Sequence, residues 1–149
     1  MSTLHELYGE TITDHNKSPR NFRKMDDATN HVDGYNPLCG DHYMVYVKIE
    51  NDIIIDVSFE GSGCAISKAS ASIMSLVLKG KTKFEAEKIF EQFHKLVKGE
   101  LNSDNIEELD KLGAFVGVSE FPARIKCATL AWHTLHSALT EKKQHIILE

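Results

Sequence analysis

Two runs of alternating apolar residues, joined by a two-residue turn, constrain this chain more than any other feature. In residues 43–49, Tyr43, Val45, Val47 and Ile49 alternate with Met44, Tyr46 and Lys48. Beyond Asn51-Asp52, Ile53, Ile55, Val57 and Phe59 alternate with Ile54, Asp56, Ser58 and Glu60. A period of two broken by so short a turn predicts an antiparallel hairpin with one dry face. That face must be covered, and the covering elements are helices. Residues 66–78 read as a helix closed by Gly80, and its small residues (Ala65, Ser67, Ala69, Ser70, Ala71, Ser72) permit close packing on the sheet. Thr82 reads as the N-cap of the next helix, with Glu85 completing a capping box. Pro122 opens a last helix to about Glu141, with Cys127, Leu130, Ala131, Thr134 and Ala138 on one face.

Before the hairpin, residues 4–15 predict a short helix broken by Pro19, and residues 28–33 a short edge strand ahead of Gly34. Residues 99–120 are less regular, with a helical turn or two over 105–112 and a looser stretch at Gly113 and Gly117. Strands followed by helices, without strand–helix alternation, predict an α+β fold: a small antiparallel sheet of about three strands, packed on one face by helices. No repeat or linker divides the chain, so residues 1–149 are expected to form a single domain.

The 149 residues are 42% hydrophobic and 26% charged, with Lys plus Arg at 17 against 22 for Asp plus Glu, a net charge of −5. A mildly acidic chain lacks the broad positive field that a nucleic-acid backbone requires. No apolar run approaches the roughly 18 residues of a membrane span, and the N-terminus lacks a basic-then-apolar leader. Neither nucleic acid nor membrane is an expected partner, and the expected location is cytoplasmic. There the three cysteines, Cys39, Cys64 and Cys127, would stay reduced.

Each cysteine lies at the end of an element: Cys39 in the turn-rich Asn36-Pro-Leu-Cys-Gly-Asp41, Cys64 after Gly61-Ser-Gly63, and Cys127 early in the last helix. A metal site of Cys39, Asp41, Cys64 and Cys127 follows as a hypothesis. Asp41 lies two residues beyond Cys39, so in an extended segment both side chains point the same way. Three thiolates and a carboxylate suit four-coordinate zinc, and helix N-termini near Cys64 and Cys127 favour thiolates. Buried cysteines serving as small hydrophobes are the alternative. There is no CxxC pair, and spacing alone leaves the two readings level.

The local motifs tip the balance. Asn36-Pro-Leu-Cys-Gly-Asp41, Gly61-Ser-Gly-Cys-Ala-Ile-Ser67 with Ala69-Ser-Ala-Ser72, and Arg124-Ile-Lys-Cys-Ala-Thr-Leu-Ala-Trp132 closely resemble the IscU/NifU N-terminal family, as does Asp14-His-Asn-Lys-Ser-Pro-Arg-Asn21. Within it the chain looks most like the SufU type. The scaffold branch carries His immediately before its last cysteine, where this chain has Lys126, and the stretch between Cys64 and Cys127 is longer here, with the surplus around residues 99–120. The scaffold branch's Leu-Pro-Pro-Val-Lys chaperone motif falls at Glu120-Phe-Pro-Ala-Arg124 and is not matched, so the resemblance does not extend to Hsp70-type docking.

The resemblance implies that Cys39, Asp41, Cys64 and Cys127 are metal ligands at one tip of the fold. It implies a zinc-bound acceptor of persulfide sulfur from a PLP-dependent, SufS-type cysteine desulfurase, serving downstream Fe–S assembly proteins. The rival is a scaffold for a transient [2Fe–2S] cluster, since thiolates suit both; a purely structural zinc domain is a third reading. Cys39, in the most loop-like setting, is the expected sulfur acceptor. Arg124, three residues before Cys127, is expected to steer the persulfide or a partner carboxylate; its bland alternative is pairing with the acidic stretch 107–110. His133 and His136, three apart, are spaced for a metal pair but read as partly exposed helix residues, and His42 should point away from Asp41. Trp132 and Phe84, Ile89, Phe90 and Phe93 read as core or interface. The run 141–143 reads as a solvated helix end.

Overall fold

The computed structural model describes residues 2–101, 110–140 and 145–148. Helix α1 (Ser2–Lys17) precedes strands β1 (Asn30–Asn36), β2 (Asp41–Glu50) and β3 (Ile53–Ser62). Helices α2 (Ala65–Leu78) and α3 (Lys83–Val97), a 3-10 helix (Asp110–Glu120), α4 (Pro122–Thr140) and β4 (His145–Ile147) follow. The predicted strands form an antiparallel β3-β2-β1 sheet, and β4 adds a short parallel strand beside β1. The N-terminal strand is therefore longer than predicted and is no edge at Asp33–Tyr35, where β4 pairs with it. Among the described residues no helix is long and apolar enough to cross a membrane.

The β2–β3 turn is made as the sequence predicts: Asn51 and Asp52 both take left-handed backbone angles, φ 52° and 62°, as a two-residue hairpin turn requires. The predicted dry face needs one correction. Lys48 pairs with Asp56 but Ile49 pairs with Ile54, so Ile55 is an extra residue on β3. This bulge reverses the alternation. Ile54 joins Val57 and Phe59 in the core, and Ile53 and Ile55 turn outward.

Helices α2 and α4 cover this face. Nine of the fourteen residues of α2 are buried, and its serines act as polar clasps: Ser72 Oγ meets His15 Nδ1 at 2.7 Å and accepts from Arg20 N at 2.8 Å, while Asn21 Nδ2 donates to Ser75 Oγ at 3.0 Å. Ser70 Oγ donates to Ala128 O at 2.5 Å and accepts from Trp132 Nε1 at 3.0 Å, tying α2 to α4. Trp132 stacks on Phe93 with centroids 4.5 Å apart, so α3 closes on α4 through an aromatic contact. The capping box holds, with Glu85 N donating to Thr82 Oγ1 at 3.0 Å and Thr82 N to Glu85 Oε1 at 2.9 Å. Phe84 does not join the aromatic core and is 67% exposed. It lies nine residues before Phe93, about two and a half turns, on the opposite side of α3. Residues 102–109 and 141–144, and with them most of the predicted turn at 105–112 and the charged run 141–143, lie outside the described residues; the 3-10 helix occupies the stretch containing Gly113 and Gly117.

His133 and His136 pack with His94 around Phe90 in the α3–α4 seam. Burial, with His94, His136 and Lys98 adding to it, pushes the His133 imidazole down to about 4. An unfolded chain titrates this group near 6.5, so between those values the unfolded state binds the extra proton. Stability is then full above about pH 6.5 and is lost as pH falls toward 4. Discounted for partial exposure, the loss is about 2 kcal/mol. Denaturant titrations of metal-free protein at pH 7 and pH 4.5 should show it, and a His133→Leu variant should lose most of the difference.

Candidate metal centre

Asn36 and Asp41 close the β1–β2 hairpin around Pro37-Leu-Cys-Gly40. Gly40 sits at φ 76°, a conformation that side chains disfavour, and its N–H donates to Asn36 O at 2.8 Å. Cys39 and Asp41 thus converge through a tight turn and not through the extended segment that their spacing suggested. Cys39 is left exposed on the loop, whereas Asp41 is fully buried at the start of β2.

The Asp41 carboxylate is held on both oxygens. Asn36 Nδ2 donates to Oδ2 at 3.0 Å; Cys64 N and Ser67 Oγ donate to Oδ1 at 2.9 and 3.1 Å. Behind Ser67 stands the Tyr43 hydroxyl, 2.9 Å from Ser67 Oγ, its phenol pushed up chiefly by burial. With the Ser67 hydroxyl directed at Asp41, Tyr43 donates to Ser67, and the chain of hydroxyls ends on the carboxylate.

Cys64 is the N-cap of α2, its Sγ accepting from Ser67 N at 3.4 Å. Cys127 is completely buried in the second turn of α4, with Sγ 3.7 Å from Ala123 O and 3.8 Å from Asn36 Nδ2. This differs from the expectation that a helix N-terminus favours its thiolate. Burial, then hydrogen bonds with Cys39 and Asp41, pushes the Cys127 thiol up, and in the second turn its sulfur meets the Ala123 carbonyl and not the free N–H groups of the helix start. A cation held there would favour the thiolate instead.

One donor atom each from Cys39, Asp41 and Cys127 lie within 4.8 Å of one another. In a tetrahedral zinc site two thiolates at about 2.3 Å from the ion stand roughly 3.8 Å apart, so the trio fits such an ion with small side-chain shifts. Cys64 falls outside this trio; its backbone N–H touches Asp41, and its sulfur faces the helix end. Arg124 is exposed, with its guanidinium against the Cys127 sulfur and in the field of Cys64 and Cys39, which raises its pKa further. Its alternative partners over 107–110 lie outside the described side chains. His42 points to the opposite face and pairs with Asp33, as its place in the strand predicted.

Asn36, Tyr43 and Ser67 escaped the sequence reading. Asn36 opens the loop bearing Cys39, and Ser67 stands three residues after Cys64, the position whose N–H an N-cap side chain binds; both were adjacent to the residues singled out.

A buried carboxylate and two sulfurs, the one on Cys39 open to solvent, gather at the tip of a hairpin with the third thiol beside them, an arrangement that could hold a metal ion on an α+β frame. The chain belongs to the family described as NifU-like N terminal domain, which it matches over residues 7–146. It is 42% identical over 142 residues to the zinc-dependent sulfurtransferase SufU of Bacillus subtilis, covering 95% of each chain. It is 38% identical over 148 residues to the iron–sulfur cluster assembly scaffold protein IscU of Streptococcus pyogenes, covering 98% of this chain and 92% of that one. The fold also matches a crystal structure from Fervidobacterium islandicum AW-1, described as a candidate iron–sulfur cluster assembly scaffold protein for the SUF system. That match has a TM-score of 0.82 at 37% identity over 91% of this chain and 98% of the other.

Proposed function

We propose that this chain is a zinc-bound sulfur acceptor that takes persulfide sulfur from a PLP-dependent cysteine desulfurase of the SufS type and passes it to downstream iron–sulfur assembly proteins in the cytoplasm. The observation that carries this reading is the inequality of the three thiols: Cys39 is exposed, Cys64 half-buried and Cys127 buried. A centre meant only to brace the fold has no use for a solvent-facing loop thiol.

Cys39, Asp41, Cys64 and Cys127 would hold the zinc, which when bound keeps the thiols as thiolates and shields them from oxidation. The Cys39 thiolate attacks the terminal sulfur of the desulfurase persulfide. A new S–S bond forms on Cys39, the old one breaks, and the desulfurase cysteine leaves as a thiolate, with no net redox change. Asn36, Ser67 and Cys64 N fix Asp41 meanwhile. Arg124 holds the negative persulfide as it forms. Lys126 and the length of residues 99–120, read as an insertion in a single domain, support this branch over the scaffold branch. Leu38 and Phe121, 61% and 60% exposed beside the site, suit a protein partner, whereas Hsp70-type docking is not part of the proposal.

Metal content and visible spectrum, before and after incubation with desulfurase, cysteine and ferrous iron, test the reading. About one firmly held zinc per chain, faster desulfurase turnover and no cluster absorbance are expected. The same soft donor set also suits a [2Fe–2S] scaffold, and a stable brown protein with iron and sulfide would establish that reading instead. Arg124→Ala should keep its zinc and lose about tenfold in sulfur acceptance, the size of about 1.4 kcal/mol of lost charge-assisted contact.

A further inference from the structure

On the face of the sheet away from the helices, an open cleft is lined by Asp33, Tyr35, His42, His145 and Ile147. Asp33 Oδ1 is bound by His42 Nε2, and Asp33 Oδ2 lies 3.2 Å from His145 Nδ1, so each carboxylate oxygen faces a different imidazole. The three residues come from three strands, β1, β2 and β4, and the metal centre uses none of them. We propose that Asp33, His42 and His145 form a second cation site, for a first-row divalent transition metal such as Co²⁺, Ni²⁺ or Zn²⁺.

Two imidazoles and one carboxylate are the donors such ions prefer, whereas the hard cations Mg²⁺ and Ca²⁺ seek oxygen. Neighbouring ligands at about 2.1 Å from an octahedral ion stand roughly 3.0 Å apart, close to the separation of His145 from the carboxylate. Each imidazole presents its lone pair by moving its proton to its other ring nitrogen, so no charge is stranded. The donors are less tightly gathered than those of the cysteine centre, the one group among the described residues with all donors within 4.8 Å. The closing movement falls to His145, whose side chain is 77% exposed. His42 itself is steadied by the edge of the Tyr35 ring, with centroids 5.7 Å apart. Because His42 and Asp41 are consecutive on a strand, they face opposite sides of the sheet, and the two sites are separate. Strand β4 pairs with β1 through three residues, so a cation bound by His145 fastens that strand to the sheet.

The test uses the zinc-loaded full chain and Co²⁺ as the probe, in equilibrium dialysis and by absorption. One further Co²⁺ per chain is expected, without thiolate-to-cobalt absorbance and with zinc retained. Its affinity should fall at least about tenfold in both His42→Ala and His145→Ala, as befits loss of one ligand in three. His145→Ala lies on a short terminal strand outside the core, so loss of folding cannot mimic the result. Hydrogen exchange over residues 145–147 should slow when Co²⁺ binds. No additional Co²⁺ at millimolar concentration, binding undiminished in both variants, or cobalt appearing with thiolate absorbance would each overturn the proposal. All of these readouts are independent of whether the cysteine centre transfers sulfur.

Discussion

Cys39→Ser should abolish sulfur acceptance, a loss of at least about 100-fold, while the protein keeps its fold. The hydroxyl of serine is scarcely ionised near neutral pH and is a poor nucleophile without a base, whereas a thiol reacts through its thiolate. Cys39 is exposed on a four-residue loop whose geometry is set by Gly40 and the Asn36–Asp41 closure, so its removal leaves the core untouched. Cys127→Ser acts differently. It places a hydroxyl in a fully buried site and removes an anchoring sulfur, and the expected result is loss of zinc first and of sulfur transfer as a consequence. Mass spectrometry of alkylated protein, after incubation with desulfurase and cysteine, separates the two. Cys39→Ser gains no sulfur while Asp41, Cys64 and Cys127 still hold zinc, though less tightly, and Cys127→Ser, which removes the buried anchor, loses metal. Sulfur carried normally by Cys39→Ser would move the acceptor role to Cys64.

Gly63→Ala should damage the centre more than Gly40→Ala, although Gly63 needs no unusual backbone angle. A methyl group on Gly63 would lie 2.4 Å from Ser67 Oγ, 2.6 Å from Asp41 Oδ1 and 2.6 Å from the Tyr43 hydroxyl. All three atoms belong to the buried network that fixes the carboxylate, so none can withdraw without losing a partner. The expected cost is about 2–4 kcal/mol of stability, combining overpacking with an orphaned polar group, and a fall in zinc affinity of at least tenfold. Gly40 has open space around it but a φ of 76°, so alanine there pays about 1 kcal/mol of backbone strain. Thermal unfolding of the metal-free variants ranks them, and zinc release to a chelator reports the site. A Gly63→Ala protein with unchanged release kinetics would show that the network does not govern the metal.

The sequence and the fold agree where a local rule decides. The hairpin turn at Asn51-Asp52, the capping box at Thr82 and Glu85, and the Pro122 start of α4 each follow from one stereochemical requirement satisfied within a few residues. They disagree where a distant partner decides. The bulge at Ile55 depends on how β3 meets β2, and periodicity inside one strand carries no record of the other. Strand β4 exists through pairing with β1, more than a hundred residues earlier, and three residues hold too little pattern to announce themselves. At the site, the cysteines and Asp41 stand out because their chemistry is rare. Asn36, Ser67 and Tyr43 do not, since a serine in a small-residue helix or a tyrosine on a strand is explained already by packing. The raised Cys127 thiol is equally hidden, because only the fold shows how completely that sulfur, beyond the first turn of α4, is buried.

Cys39, Asp41 and Cys127 reach one another only after a hairpin from the first third of the chain has met a helix from the last. During synthesis the ribosome must release the last of these long after the first, so a growing chain offers unconnected thiols that no ion can gather. On the proposed function, metal loading would then report that the chain is complete. A truncated or misfolded copy would remain without a gathered centre, because the geometry that builds the site is non-local.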